Sequence, residues 1–167
     1  MPLEIERKFL LANDEWRSGV IRRDHLRDGL IGRFNGGKVR VRLSGDKAWL
    51  TVKGPRRGIC RSEFEYEIPY DDGDQMVRTL CMEPVIEKIR HSVPFAGLIW
   101  SIDIHLGGLA GVEFAEVELS QPDTPISLPN WAGPEVTHEP RFRKENLMHS
   151  VKATHIAPFQ VRTETDI

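Results

Sequence analysis

Arg61-Ser62-Glu63-Phe64-Glu65-Tyr66-Glu67-Ile68 is the stretch that decides the architecture. Ionisable side chains recur at every second position, and Phe64, Tyr66 and Ile68 occupy the alternate ones. Successive side chains of a strand point to opposite faces, so this octapeptide predicts a strand with one charged and one apolar surface. The pattern continues along the chain. Glu4, Glu6 and Lys8 alternate with Leu3, Ile5 and Phe9, and Arg40 and Arg42 with Val39, Val41 and Leu43. Lys53 faces away from Leu50 and Val52, and Lys88 and Arg90 follow. Asp103 opposes Trp100, Ile102 and Ile104, and Glu116 and Glu118 oppose Val117 and Leu119.

Turn signals cut the chain into eight such segments, at about 3–11, 25–34, 38–44, 47–53, 61–68, 85–93, 98–105 and 112–120. Asn35-Gly36-Gly37 and Ser44-Gly45-Asp46 read as tight hairpin turns, with longer loops at Gly54–Gly58 and Leu106–Gly111. Helices are predicted at roughly 13–22, 71–82 and 139–149. Eight consecutive antiparallel strands in one small domain must bury their edges, either in a closed barrel or in a two-sheet sandwich.

With 167 residues the chain suits one domain, placed at 1–150 with a tail over 151–167. A net charge of −2 argues against binding nucleic acid or an anionic membrane through bulk electrostatics. No apolar run is long enough to span a bilayer, and the charged start at Glu4 does not resemble a signal peptide. Cys60 and Cys81 have no paired-ligand spacing and read as reduced thiols of a cytoplasmic protein. The six histidines show no zinc-binding spacing.

The charged face gathers eight carboxylates and seven basic groups. Alternation of this kind usually marks a solvated outer face. Against that, the positions are almost exclusively ionisable, with little Ser, Thr, Asn or Gln. The signs also segregate by strand, acids on the first, fifth and eighth and bases on the third, fourth and sixth. If the face points inward, the lumen must be wet or filled by a charged ligand, because each ion costs several kcal/mol to dehydrate. Paired carboxylates suit Mg²⁺ or Mn²⁺, and clustered Arg and Lys suit phosphate oxygens. Acid and base in one lumen describe a site for a polyphosphate–metal complex.

These residues resemble the CYTH superfamily, the triphosphate tunnel metalloenzymes. Glu4-Ile5-Glu6-Arg7-Lys8 matches the Glu-x-Glu-x-Lys signature. Val39–Leu43, Thr51–Gly54, Arg61–Ile68, Ile86–Arg90, Asp103 and Ala115–Leu119 follow in the family's order. The resemblance covers about 2–149 and looks closest to short, single-domain bacterial members. It implies a β-rich α+β fold, a closed eight-stranded antiparallel β-barrel forming a tunnel, with a few flanking helices. It also implies a divalent-metal-dependent triphosphatase acting on inorganic tripolyphosphate or an organic triphosphate, with water attacking the terminal phosphoryl group.

Carried over by motif, Glu4, Glu6, Asp103, Glu116 and Glu118 are metal ligands, and Lys8, Arg40, Arg42, Lys53, Arg61 and Arg90 bind phosphate. Lys88 sits near the attacking water, Glu63 and Glu65 serve metal or the cationic wall, and Glu67 is architectural. The substrate is thus the expected partner, with no nucleic acid or membrane; a homodimer is left open. Two departures from the common pattern stand out. Asp28-Gly29-Leu30-Ile31 replaces Gln-x-Tyr-Leu, and Arg141-Phe142-Arg143-Lys144 replaces Arg-Tyr-x-Asn. The rivals are an adenylyl cyclase, which shares the metal site but needs an adenine pocket, and a non-catalytic polyphosphate or nucleotide binder.

Overall fold

The structure, a computed structural model, describes residues 2–143 and 146–147. Strand β1 is Leu3–Leu11, β2 Arg22–Phe34, β3 Gly37–Ser44, β4 Lys47–Lys53 and β5 Cys60–Ile68. Helix α1 (Tyr70–Thr79) precedes β6 (Met82–Phe95), β7 (Leu98–His105), β8 (Glu113–Glu118) and β9 (Ala132–Glu135). All pairings are antiparallel, in the order β5-β4-β3-β2-β6-β7-β8-β1-β9. A further pairing of β5 with β1 closes the first eight strands into a barrel, with Leu3 opposite Ser62, Glu4 opposite Arg61 and Ile5 opposite Cys60.

The predicted turns have the backbone they require. Asn35 and Gly36 adopt φ of 42° and 77°, the left-handed pair that matches strand twist in a two-residue hairpin. Register then places the inward residues opposite one another: Arg42 against Asp28, Arg40 against Thr51, Lys53 against Glu63 and Glu6 against Glu118.

The apolar face points outward and is covered from outside over much of the barrel, although Phe64 and Tyr66 of β5 stay exposed. Ile5, Phe9, Val93, Trp100, Ile102 and Val117 pack with Trp16 and Trp131 into the largest cluster. Val41, Leu43 and Ala48 pack under Val77 of α1. The barrel therefore wears its core on the outside, which leaves the charged face for the lumen.

Three predicted boundaries are corrected. The helix expected at 13–22 is only a 3₁₀ turn, Glu15–Gly19, whose single buried anchor is Trp16. Arg22, Arg23 and Asp24 belong instead to β2, which pairs them with Ser92, His91 and Arg90. The helix expected at 71–82 ends at Thr79, because Met82 already begins β6. In the helix expected at 139–149 the described residues show a 3₁₀ turn at Pro140–Phe142 and helical Asn146 and Leu147, the rest of that span lying outside the described residues, as does the tail from 151. Strand β9 was not expected.

Gly73 shows how closely α1 lies on the sheet. A Cβ there would sit 2.5 Å from the Ala48 Cβ and 3.1 Å from Leu43 Cδ2. Overpacking of this kind costs about 1–3 kcal/mol, against roughly 1 kcal/mol regained from helix propensity. Gly73→Ala is expected to lower the urea midpoint at an unchanged m-value, and a midpoint at or above wild type would overturn this packing argument.

Candidate active site

The inward side chains line a cavity of about 860 Å³, within the size range of small-ligand sites. Its wall includes Glu4, Glu6, Lys8, Arg40, Arg42, Lys53, Arg61, Glu63, Glu65, Arg90, Glu116 and Glu118. Sequence reasoning put all of these on one face, and the barrel brings them around one space. A smaller recess of about 480 Å³ shares Glu6, Arg90, Glu116 and Glu118 with it, so the carboxylate wall is approached from two sides. The apolar group Phe114, Val136 and Phe142 packs together near the cavity, and the Lys8 ammonium lies 4.8 Å above the Phe114 ring.

Most lumen charges are already compensated. Lys53 Nζ donates to Glu4 Oε1 at 2.7 Å and to Glu63 Oε2 at 2.8 Å, and Arg61 Nε donates to Glu4 Oε2. Burial resists ionisation of Glu4, but the bond from Arg61 and the charge of Lys53 outweigh it and hold the carboxyl well below its usual range. Lys8 Nζ lies 2.9 Å from Glu116 Oε1, and Arg90 Nη2 donates to Glu116 Oε2 at 3.0 Å.

Lys88 and Asp103 stand apart from this wall. Both are fully buried at 0 % exposure, neither lines the cavity, and Lys88 Nζ donates to Asp103 Oδ2. Arg90 forks onto Asp103 with Nε–Oδ1 and Nη2–Oδ2 both at 2.7 Å. Burial opposes the Asp103 charge, yet Lys88 and Arg90 prevail and keep it ionised far below the usual carboxylate range. Lys88, expected beside the attacking water, and Asp103, expected on metal, thus lie behind the Arg90 guanidinium. Glu67 is exposed and meets Lys47 at 3.4 Å, away from the cavity.

Sequence reasoning missed several groups at or just behind the cavity wall. Asp28 on β2 is buried and receives both Nε and Nη2 of Arg42, at 2.7 and 2.8 Å. Thr51 is buried between Arg40 and Glu65 and donates to Glu65 Oε2 at 2.9 Å. Arg33, Lys38 and Arg56 line the mouth, Arg56 lying 3.7 Å from Glu6. The signal for Thr51 was its parity with Lys53. Arg56 stands on a loop, where alternation says nothing.

Two features remain electrostatically unfinished. Glu6 and Glu118 face each other in register across β1 and β8. Burial, then repulsion from Glu116 and Glu4, pushes the Glu6 carboxyl up; burial, then Glu4 and Glu63, pushes up Glu118. A hard dication would relieve that repulsion, and carboxylate, phosphate and water oxygens are the donors that such an ion would take. Among the described residues no three acidic, His or Cys side chains converge into a ready cage. The second feature is Arg40. Its Nε is buried without a hydrogen-bond partner among the described residues, and its carboxylate neighbours lie at 3.6 and 3.7 Å. Burial draws its pKa down.

A CYTH domain model matches residues 2–149. An inorganic triphosphatase of Acetivibrio thermocellus is 41 % identical over 89 % of this chain and 94 % of its own length. One from Nitrosomonas europaea is 30 % identical over 89 % and 98 %. A solved inorganic triphosphatase is 27 % identical and superposes with a TM-score of 0.63 over 89 % of this chain and 95 % of that one. A Bacillus halodurans structure described as a candidate adenylate cyclase has a TM-score of 0.56 at 14 % identity, over 74 % and 84 %, a likeness of fold alone. The matched span holds every strand of the barrel and every charge on its lumen, and the chain belongs to the CYTH domain family.

Proposed function

We propose that this protein is a divalent-metal-dependent triphosphatase that hydrolyses inorganic tripolyphosphate within the barrel. The observation that carries the reading is the two-sided lumen. On the basic side Arg40 Nε has no hydrogen-bond acceptor among the described residues, and on the acidic side neighbouring carboxylates push Glu6 and Glu118 up even though Arg56 lies 3.7 Å from Glu6. A metal–triphosphate complex satisfies both sides at once. The curated relatives named inorganic triphosphatases support the same reading, and no specific observation favours a cyclase.

Arg40, Arg42, Lys53, Arg61, Arg90 and Lys8 hold the phosphate oxygens, the guanidinium forks fixing their orientation. Glu6 and Glu118 hold the metal, Mg²⁺ or Mn²⁺, with Glu116 and Glu4 as nearby support. When bound, the cation supplies charge neutralisation at the phosphoryl oxygens and acidity to a coordinated water. The chain's own contribution is positioning: water enters along the carboxylate side while the basic wall keeps the terminal phosphoryl group in line for attack. Glu63 ties Lys53 in place, and Glu65 does the same for Thr51. Two partly buried free thiols, Cys60 and Cys81, suit a reducing cytoplasm. No described helix is long and apolar enough to cross a membrane.

Phosphorus NMR on purified protein with tripolyphosphate and Mg²⁺ is expected to show phosphate and pyrophosphate appearing together, and no turnover in excess chelator. Undiminished turnover with chelator, or none with any divalent metal, would overturn the reading. Tripolyphosphate with Ca²⁺, offered as a non-turnover pair, should stabilise the fold by about 2.7 kcal/mol at a hundredfold excess over Kd.

A further inference from the structure

Behind the basic wall lies a second layer of charge that is not needed to line the cavity. Asp28 and Asp103 stand on either side of Lys88, whose Nζ hydrogen-bonds Asp103 and lies 4.0 Å from Asp28. Each carboxylate grips one arginine of the wall through the same two atoms. Asp28 takes Nε and Nη2 of Arg42, and Asp103 takes Nε and Nη2 of Arg90. Arg42 and Arg90 line the cavity, whereas Asp28, Asp103 and Lys88 do not. Asp28 reaches a second wall residue as well, with Oδ2 at 3.6 Å from Arg40 Nη1.

A guanidinium has five N–H donors in a rigid plane. When a carboxylate occupies the Nε–Nη2 edge, the plane is fixed and the Nη1 edge points away from the carboxylate. For Arg42 the carboxylate lies on the buried side, so the remaining edge is the one presented to the lumen. We infer that Asp28 is a positioning residue for substrate binding: it holds Arg42 by its inner edge, and Arg40 more loosely, so that their outer donors meet the phosphate oxygens. The inference rests on the triphosphatase reading above. An unclamped Arg42 would have to lose its side-chain freedom on binding, so the clamp lowers the entropic cost of forming the complex.

The test is a double-mutant cycle on the full chain with tripolyphosphate. Asp28→Asn keeps the side chain's size and replaces the charged, two-oxygen clamp. Arg42→Lys removes the fork that the clamp holds. Asp28→Asn alone is expected to lower kcat/KM about tenfold, chiefly through KM, and in the Arg42→Lys background by no more than about twofold. Calorimetric Kd values for tripolyphosphate with Ca²⁺ should show the same non-additivity. Unfolding midpoints are measured alongside. Equal losses in both backgrounds would assign Asp28 a purely structural role, and an unchanged kcat/KM in Asp28→Asn would remove it from the site. Should Asp28→Asn fail to fold, Asp28→Glu replaces it in the cycle: it keeps the charge but moves the two oxygens, with the same coupling expected. A wild type that neither hydrolyses nor binds tripolyphosphate defeats the triphosphatase reading itself, an outcome distinct from an active wild type with an additive cycle.

Discussion

Glu6→Gln is expected to lower tripolyphosphate turnover on the order of a hundredfold while leaving the fold as stable as wild type or more so. The loss follows from removing one of the facing carboxylates, Glu6 and Glu118, that supply charge to a dication. The stability effect has the opposite sign because the fold resists ionisation of Glu6. Burial, Glu116 and Glu4 all push its carboxyl above the ordinary value of 4.5. A raised carboxyl binds its proton more readily folded than unfolded, so its contribution favours folding at low pH and is lost as pH rises through the folded value. At neutral pH the wild type bears that cost and the neutral Gln does not. The midpoint difference should therefore shrink as pH is lowered toward 4.5 and below. Full activity would remove Glu6 from the metal site, and a clear fall in neutral-pH stability would contradict the electrostatics.

Asp103→Asn is expected to do the reverse, destabilising the protein by about 3–5 kcal/mol, as when one partner of a buried ion pair is removed. Lys88 and Arg90 both direct their donors at Asp103; Lys88 and Asp103 sit out of water, and Arg90 is partly exposed on the cavity wall. The folded carboxyl lies far below its ordinary 3.8, so it stabilises the fold above that pH and loses the contribution as acid protonates it. Wild type and variant should accordingly converge in strong acid. Denaturant titrations from neutral pH downward measure this directly. An Asp103→Asn protein of wild-type stability with a shifted metal requirement would instead return Asp103 to the metal shell.

The strands and their charged face were legible because ionisable residues recur at every second position from Glu4 to Lys8 and from Arg61 to Glu67, with Arg7 and Ser62 as the polar exceptions on the other face. What the alternation left open was the direction of that face. Composition leaned inward, and the resemblance pointed the same way. The cover from Trp16, Trp131 and α1 supplies the physical reason, since it takes the apolar face as core. Strand β9 was hidden because Ala132-Gly133-Pro134-Glu135 has no β-branched or aromatic residue; it is a strand only through its pairing with Phe9 and Leu11 of β1, at the sheet edge where Pro is tolerated. Asp28 escaped notice because its strand breaks the rule. Leu26, which pairs with Lys88, shares its face, so β2 does not read as a charged row. Roles within the lumen were harder still: Lys88 and Asp103 share parity with cavity residues, and parity cannot tell a wall residue from one standing behind the wall.

Among the described residues, β1 and β5 meet only at Leu3–Ser62, Glu4–Arg61 and Ile5–Cys60, whereas β6 and β7 are zipped from Lys88–His105 to Phe95–Leu98. The closing ladder joins segments far apart in sequence, and its loop entropy must be met after the nearer hairpins have formed. Amides in this ladder are therefore expected to exchange with deuterium sooner than those of β6 and β7. Glu4 bridges the ladder to both Arg61 and Lys53, so closing the ladder also assembles this corner of the basic wall. A partly folded chain cannot hold a triphosphate here, and a bound one makes the ring slow to reopen.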